Sequence, residues 1–154
     1  MPQRMDAGTQ GGGEVAVGCA VALVGAVALG GSLFLDRADD YFYDVAGNRL
    51  IEFGAVGPAL VVLVVAAIGL CLLGFVGRLQ RLATPLLLLV SLACLALTIY
   101  AATDIGVHPT DMGDQSNDIA IGSVMAIASS VLMAGGGLVA FGGAGRNASI
   151  NSPS

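Results

Sequence analysis

Four long stretches without a charged residue set the strongest constraint on this chain. They cover residues 15–35, 53–77, 82–103 and 119–145, and each is at least 21 residues long. About 20 helical residues, at about 1.5 Å each, cross the roughly 30 Å hydrocarbon layer of a bilayer. Because backbone N–H and C=O groups find no water in lipid, such segments must close their own hydrogen bonds as helices. The pattern therefore predicts four transmembrane helices.

Composition excludes a water-soluble domain, since 56% of the 154 residues are hydrophobic and only 11% are charged, with a mean hydropathy of +0.86. We predict an all-α membrane protein, an antiparallel bundle of four transmembrane helices with room for a short β-hairpin in the first outer loop. The predicted segments are a flexible N-terminus (1–14), helices at 15–35, 55–77, 85–103 and 119–142, loops at 36–54, 78–84 and 104–118, and a flexible tail (143–154).

Local signals suggest where two of these helices begin and bend. Thr84 and Pro85 form the N-cap and first-position pattern of a helix start, so the third helix is expected to begin there. The run Gly135-Gly136-Gly137 predicts a kink in the fourth helix, or its end near Ala140, because glycine weakens a helix interior.

Arginine placement predicts the orientation. The termini and the 78–84 loop carry four arginines, whereas the two outer loops carry Arg37 and Arg49 together with nine of the eleven acids. Positive charge favours the cytoplasmic side, so both termini are expected in the cytoplasm of a multi-pass protein of the bacterial inner membrane. The net charge of −5 is then an average over a mildly basic inner face and an acidic outer face. No basic patch suggests a nucleic-acid partner.

Small residues spaced by four predict two helix-packing faces, because helices in lipid associate where their backbones can approach closely. These faces are Gly18, Ala22, Ala26 and Gly30 in the first span, and Gly122, Ala126, Ser130 and Ala134 in the fourth. Such faces serve either packing within the chain or contact with another protein, and the sequence leaves both open.

Aromatic residues concentrate in the first outer loop. Two strand-prone runs, 40–45 and 49–53, flank a Gly-Asn turn and predict a hairpin. Its aromatic residues are Tyr41, Phe42, Tyr43 and Phe53. They fit either an aromatic belt at headgroup level or a contact with a partner outside the membrane, the second being the predicted partner site.

Chemistry-bearing residues are sparse. Cys19, Cys71 and Cys94 lie in different spans without Cys-x-x-Cys spacing, and His108 stands in an acidic loop that lacks the ligand order of a calcium site. We therefore predict no metal, no cofactor and no catalytic residues. The spans hold no ionisable residue of the kind that marks a proton-coupled pump, and no nucleophile and base pair suggests an enzyme.

These features favour a non-catalytic accessory subunit or assembly factor of a larger membrane complex. Its expected partners are other membrane-protein subunits and the lipid bilayer. The absence of lysine and the abundance of Ala, Gly and Val are typical of GC-rich bacteria, whose respiratory oxidase and cytochrome bc-type assemblies often hold small helical subunits, so we expect that setting. The alternatives are a small oligomeric transporter or channel, lined by Ser91, Thr98, Ser123, Ser129 and Ser130, and an outer-face pH or cation sensor.

Overall fold

Four helices make up nearly all of the described structure, a computed structural model. It describes residues 8–35, 38–39, 49–52, 54–76, 79–103, 118–119 and 121–150. The helices are α1 (Gly8–Ser32), α2 (Val56–Gly74), α3 (Gln80–Thr103) and α4 (Ile121–Ile150). All four are long and apolar enough to cross a membrane, which confirms the prediction of four such helices. Two short strands, β1 (Ala38–Asp39) and β2 (Asp118–Ile119), and a 3-10 turn (Leu50–Glu52) complete the described part.

The first and last helices form the most extensive contact of the bundle. They run antiparallel, and the same alignment of residue numbers between the two helices also holds for the pairing of β1 with β2. Successive contacts along it join Gly143 to Glu14, Gly136 to Ala22, Gly25 to Met133, and Ala38 to Ile119. The described contacts between the first and last helices therefore run from Glu14 and Gly143 to the β1–β2 pair.

The α2–α3 hairpin packs beside this pair. α2 contacts α1, where a Cβ at Gly74 would lie 2.6 Å from the Sγ atom of Cys19, and α3 contacts α4, where Gly137 lies against Leu88. Each helix thus contacts the helix that precedes or follows it in the sequence, and the last helix, α4, also contacts the first, α1. Small side chains fill much of the interior, including several alanines and the three cysteines, because close backbone approach is the main source of attraction between helices in lipid.

The second half of the predicted hairpin is wrong. Residues Leu50–Glu52 form a 3-10 turn, in which the Leu50 side chain is buried in the core. The backbone N–H of Ile51 donates to the carbonyl of Leu33 at 3.1 Å, at the end of α1. Burial of Leu50 and this hydrogen bond to the helix end outweigh the local strand preference. Residues 40–48 of the hairpin, and Phe53, lie outside the described residues.

The third helix begins before the predicted Thr84-Pro85 start. α3 already runs from Gln80, so Pro85 stands inside it, and the Thr84 hydroxyl donates to the carbonyl of Gln80 at 3.0 Å instead of capping a helix end. Thr84 is buried, and the amide of Ala83 bonds to the carbonyl of Leu79 at 2.9 Å. The missing N–H of Pro85 costs only one bond near the helix start, where packing of the preceding turn compensates.

The fourth helix is longer than expected. It continues through Gly135-Gly136-Gly137 and past Ala140 to Ile150, into the segment from 143 onwards that was expected to be a flexible tail. The reason is tertiary, because Gly136 and Gly143 pack against α1. Packing of this kind offsets the poor helix propensity of glycine.

Candidate functional site

The α1–α4 seam brings two helix backbones into direct contact. A methyl group at Gly18 would lie 2.7 Å from the carbonyl oxygen of Gly136 and 2.8 Å from Cα of Ala140. A methyl group at Gly25 would lie 2.7 Å from the backbone nitrogen of Met133. Real Cβ atoms essentially never come within 3.0 Å of such atoms, so only glycine permits this separation of the two helices.

The glycines of this seam recur every seven residues. In α1 they are Gly18 and Gly25, and in α4 they are Gly136 and Gly143. Ser129, seven residues before Gly136, takes the next position of the α4 series and lies against Gly25. Two helices that pack at a small angle meet every 3.5 residues, so the same face returns after seven. Gly25, Gly136 and Gly143 were not among the predicted packing residues, although their seven-residue spacing is visible in the sequence.

The predicted α1 face is divided between two neighbours. Gly18 and Ala22 lie against α4, whereas Gly30 is nearest to Val64 of α2, whose Cγ1 would lie 3.5 Å from an added methyl group. Ala26, between them, is fully buried. At about 100° per residue, the twelve residues from Gly18 to Gly30 turn the helix face by about 120°. A spacing of four therefore winds around the helix instead of following one seam.

The predicted α4 face turns in the same way. Gly122 and Ala126 are buried, Ser130 is buried and meets α3, and Ala134 is only half-buried. Six of the eight predicted packing positions are buried within the chain, and the other two, Gly30 and Ala134, are half-buried.

Buried hydroxyl groups mark the contact between α3 and α4. The Thr98 Oγ1 atom lies 3.3 Å from the Oγ of Ser130, across the helix interface. Each hydroxyl also has an acceptor in its own helix. Ser130 donates to Ala126 O at 2.8 Å, and the single Thr98 proton is shared between Leu95 O at 2.9 Å and the Ser130 Oγ atom. This is the common way in which a helix satisfies such a group without water.

The five hydroxyl residues considered as a channel lining are all inside the bundle. At most 5% of the surface of any of them is exposed. Their positions are Ser91 and Thr98 in α3, and Ser123, Ser129 and Ser130 in α4. A path formed between copies of the chain would need polar groups on the outer surface of the bundle, and these groups are not there.

One ion pair joins the beginning of α1 to the end of α4. Arg146 donates through Nη1 to Oε1 of Glu14 at 2.6 Å, with 71% and 41% of the two side chains exposed. The start of the first helix and the end of the last therefore lie at the same end of the bundle. An exposed pair of this kind contributes about 0–1 kcal/mol to stability. It shows that the two helix segments are close together but adds little to the free energy that keeps them there.

The three cysteines are free and buried, one in each of α1, α2 and α3. Among the described residues, no three side chains of His, Cys, Asp or Glu are grouped so that they could hold a metal ion. The Cys19 thiol fits against the open side of Gly74, which is a packing role for a small apolar group.

The predicted partner site consists of Tyr41, Phe42, Tyr43 and Phe53, and all four lie outside the part of the chain that the structure describes. His108 lies outside it as well. The structure does describe one residue pair on each side of the two outer segments. Ala38 pairs with Ile119 and Asp39 with Asp118, in antiparallel register. The residue before the aromatic segment and the residue after the acidic segment are therefore neighbours.

Comparison with known proteins gives no further assignment. No protein-family model matches the chain, and neither a curated protein nor a solved structure matches it.

Proposed function

We propose that this protein is a non-catalytic accessory subunit or assembly factor of a larger complex in a bacterial inner membrane, with both termini in the cytoplasm. A respiratory assembly of the oxidase or cytochrome bc type is the proposed setting. In this proposal the protein acts through contacts: its helices sit in the membrane beside other subunits, and its outer segments meet a partner outside it.

The observation that carries the proposal is the closed interior of the bundle. The first and last helices meet at backbone contact distance, as at Gly18 and Gly136, and the buried hydroxyls of Thr98 and Ser130 already have partners. The interior is used by the packing of the chain itself, so the outer surface remains as the place where function is carried out.

The same observation weighs against the alternative of an oligomeric transporter or channel. Such a path requires polar groups at the contact between copies, and the hydroxyl residues that were candidates for it are buried within one copy. The exposed faces of the described helices carry large apolar side chains, such as Val24, Leu89 and Leu132. An apolar outside suits lipid or the apolar helices of another subunit better than it suits a solute.

The test is purification of a tagged copy from its native membrane in mild detergent, followed by mass spectrometry. We expect other membrane proteins at fixed stoichiometry. In a variant with Tyr41, Phe42 and Tyr43 all changed to alanine, we expect at least a tenfold loss of these partners, since the aromatic contact area is gone.

Phe141→Ala is the matched control, because Phe141 is an exposed aromatic residue of α4 towards the opposite end of the bundle, where the Glu14–Arg146 ion pair lies. It should leave the partners in place. A homo-oligomer without other proteins, together with solute flux through liposomes that contain the pure protein, would overturn the proposal in favour of the transporter.

A further inference from the structure

All four aromatic residues in the described part of the chain are exposed, and they lie at two levels along the bundle. They are Phe34 (61% exposed), Tyr100 (54%), Phe75 (51%) and Phe141 (46%). None of them packs into the core, although large apolar side chains are the usual filling of a protein interior. All four side chains therefore lie on the outer surface of the bundle.

Two of these residues lie at one level along the bundle. Phe75 directly follows Gly74, which contacts Cys19 of α1, and Phe141 directly follows Ala140, which contacts Gly18 of α1. Since Gly18 and Cys19 are adjacent, Phe75 and Phe141 extend from the same height on different helices.

The other two residues lie near the opposite end. Phe34 follows Leu33, whose carbonyl accepts the hydrogen bond of Ile51 next to the end of α1. Tyr100 is close to Thr103, the last residue of α3. The 14 residues from Gly18 to Ser32, where α1 ends, span about 21 Å at about 1.5 Å per residue. Phe34 lies in the turn just beyond Ser32, so the two levels are about 24 Å apart.

The surface between these two levels is apolar, and charge appears only outside it. Exposed side chains between them are those of apolar residues in every helix described, for instance Val24, Val65, Leu92 and Leu132. At one end the Glu14–Arg146 ion pair lies beyond the level of Phe141. At the other end the exposed residues Arg49 and Glu52 flank Ile51.

We infer that this shell is the contact surface for a phospholipid bilayer whose hydrocarbon layer is about 24–28 Å thick, thinner than the average of about 30 Å. The headgroup levels pass through Phe34 and Tyr100 on one side and through Phe75 and Phe141 on the other, where aromatic rings are most stable. The upper value comes from α2, whose 19 residues span about 28 Å.

Single tryptophans test the two levels directly, because the protein has none of its own. Phe34→Trp, Tyr100→Trp, Phe75→Trp and Phe141→Trp are placed one at a time in liposomes of lipids brominated at different acyl positions. Their fluorescence should be quenched most by the bromines nearest the headgroup. Leu92→Trp and Leu132→Trp, exposed between the two levels, are the matched controls and should be quenched most by the deepest bromines.

Equal quenching depth for the end positions and the middle positions would overturn the inference. Helix content by circular dichroism identifies a variant that fails to fold, and each level carries two independent positions, so one lost variant leaves the test intact.

Bilayer thickness is tested on the unmodified protein. In mono-unsaturated phosphatidylcholines of increasing chain length, the melting temperature should be highest where the hydrocarbon layer is about 24–28 Å and fall in thicker bilayers, because mismatch must be relieved by tilt or by lipid deformation. A maximum in the thickest bilayers, or no dependence on thickness, would refute the assigned thickness.

Discussion

At the scale of single residues, two neighbouring glycines of α4 have opposite surroundings. A methyl group at Gly136 would lie 2.7 Å from the Gly18 carbonyl oxygen and 2.9 Å from Cα of Ala22, whereas one at Gly135 would meet nothing within 4 Å. Both residues belong to the same glycine run, and their local sequence gives no reason to treat them differently. Only the position of α1 distinguishes them.

Gly136→Ala should destabilise the protein by about 1–3 kcal/mol, because the added methyl group forces two backbones apart. Gly135→Ala should be neutral or stabilise by up to about 1 kcal/mol, since alanine is the better helix former and has open space. The free energy of unfolding, measured by titration with a denaturing detergent in mixed micelles, checks both. Equal effects of the two substitutions would contradict the α1–α4 seam.

The Thr98–Ser130 contact gives a second prediction at this scale. A double-mutant cycle of Thr98→Val and Ser130→Ala should yield a coupling of about 0.6 kcal/mol, and no more than about 1.7, as for other hydroxyl contacts between membrane helices. Thr103→Val is the control, because the Thr103 hydroxyl is exposed and donates only to its own helix at Tyr100. A coupling as small as that between Thr103→Val and Ser130→Ala would show that the contact contributes nothing.

At the scale of elements, helix ends and helix continuity follow tertiary contacts. α3 begins at Gln80 although Thr84 and Pro85 resemble a helix start, and α4 passes through three successive glycines without a break. The 3-10 turn Leu50–Glu52 replaces a predicted strand because Leu50 enters the core. In each case a buried contact outweighs the local preference, which for glycine in a helix is about 1 kcal/mol per residue.

The continuity of α4 can be measured by hydrogen exchange. Amides of residues 136–141 should be protected as strongly as those of 126–131, because they form uninterrupted helical hydrogen bonds in a packed helix. Mass spectrometry of exchange in lipid nanodiscs reports on both segments within one helix, the second serving as the internal reference. Fast exchange confined to 136–141 would restore the kink that the glycine run predicts.

At the scale of the whole molecule, the seam between the first and last helices determines how the chain closes. α1 and α4 are in contact along much of their length, and β1 pairs with β2 beyond the helices. The α2–α3 hairpin packs on the closed pair. A break between α2 and α3 would therefore leave the two halves joined by the α1–α4 contact.

Co-expressed halves, cut within residues 75–79, should assemble and purify together in mild detergent. Each half supplies one side of the glycine seam, which buries Gly18 and Gly25 against α4. Gly136→Leu in the second half should reduce recovery of the partner half severalfold, while Gly135→Leu should not, because it faces open space. Halves that purify separately would show that the seam does not hold the bundle together.

The sequence alone determined the number and type of the long helices. Uncharged stretches of this length predict four membrane-spanning helices because a backbone in lipid must satisfy its own hydrogen bonds, whatever surrounds it. That argument needs no knowledge of neighbours, and it correctly overrides the strand preference of the many valines. The two small-residue helices, the first and the fourth, were likewise recognisable as helices suited to close packing.

Only the tertiary structure decided which residues face each other. Gly18 and Gly136 meet at backbone distance, while Gly30 and Gly135 do not take part in that seam, although all four are small residues of packing helices. Glycine permits close approach but specifies no direction, so composition cannot assign the seam. The crossing geometry of α1 and α4 does so, because it repeats the contact every seven residues and turns the other small residues towards α2, α3 or the outer surface of the bundle.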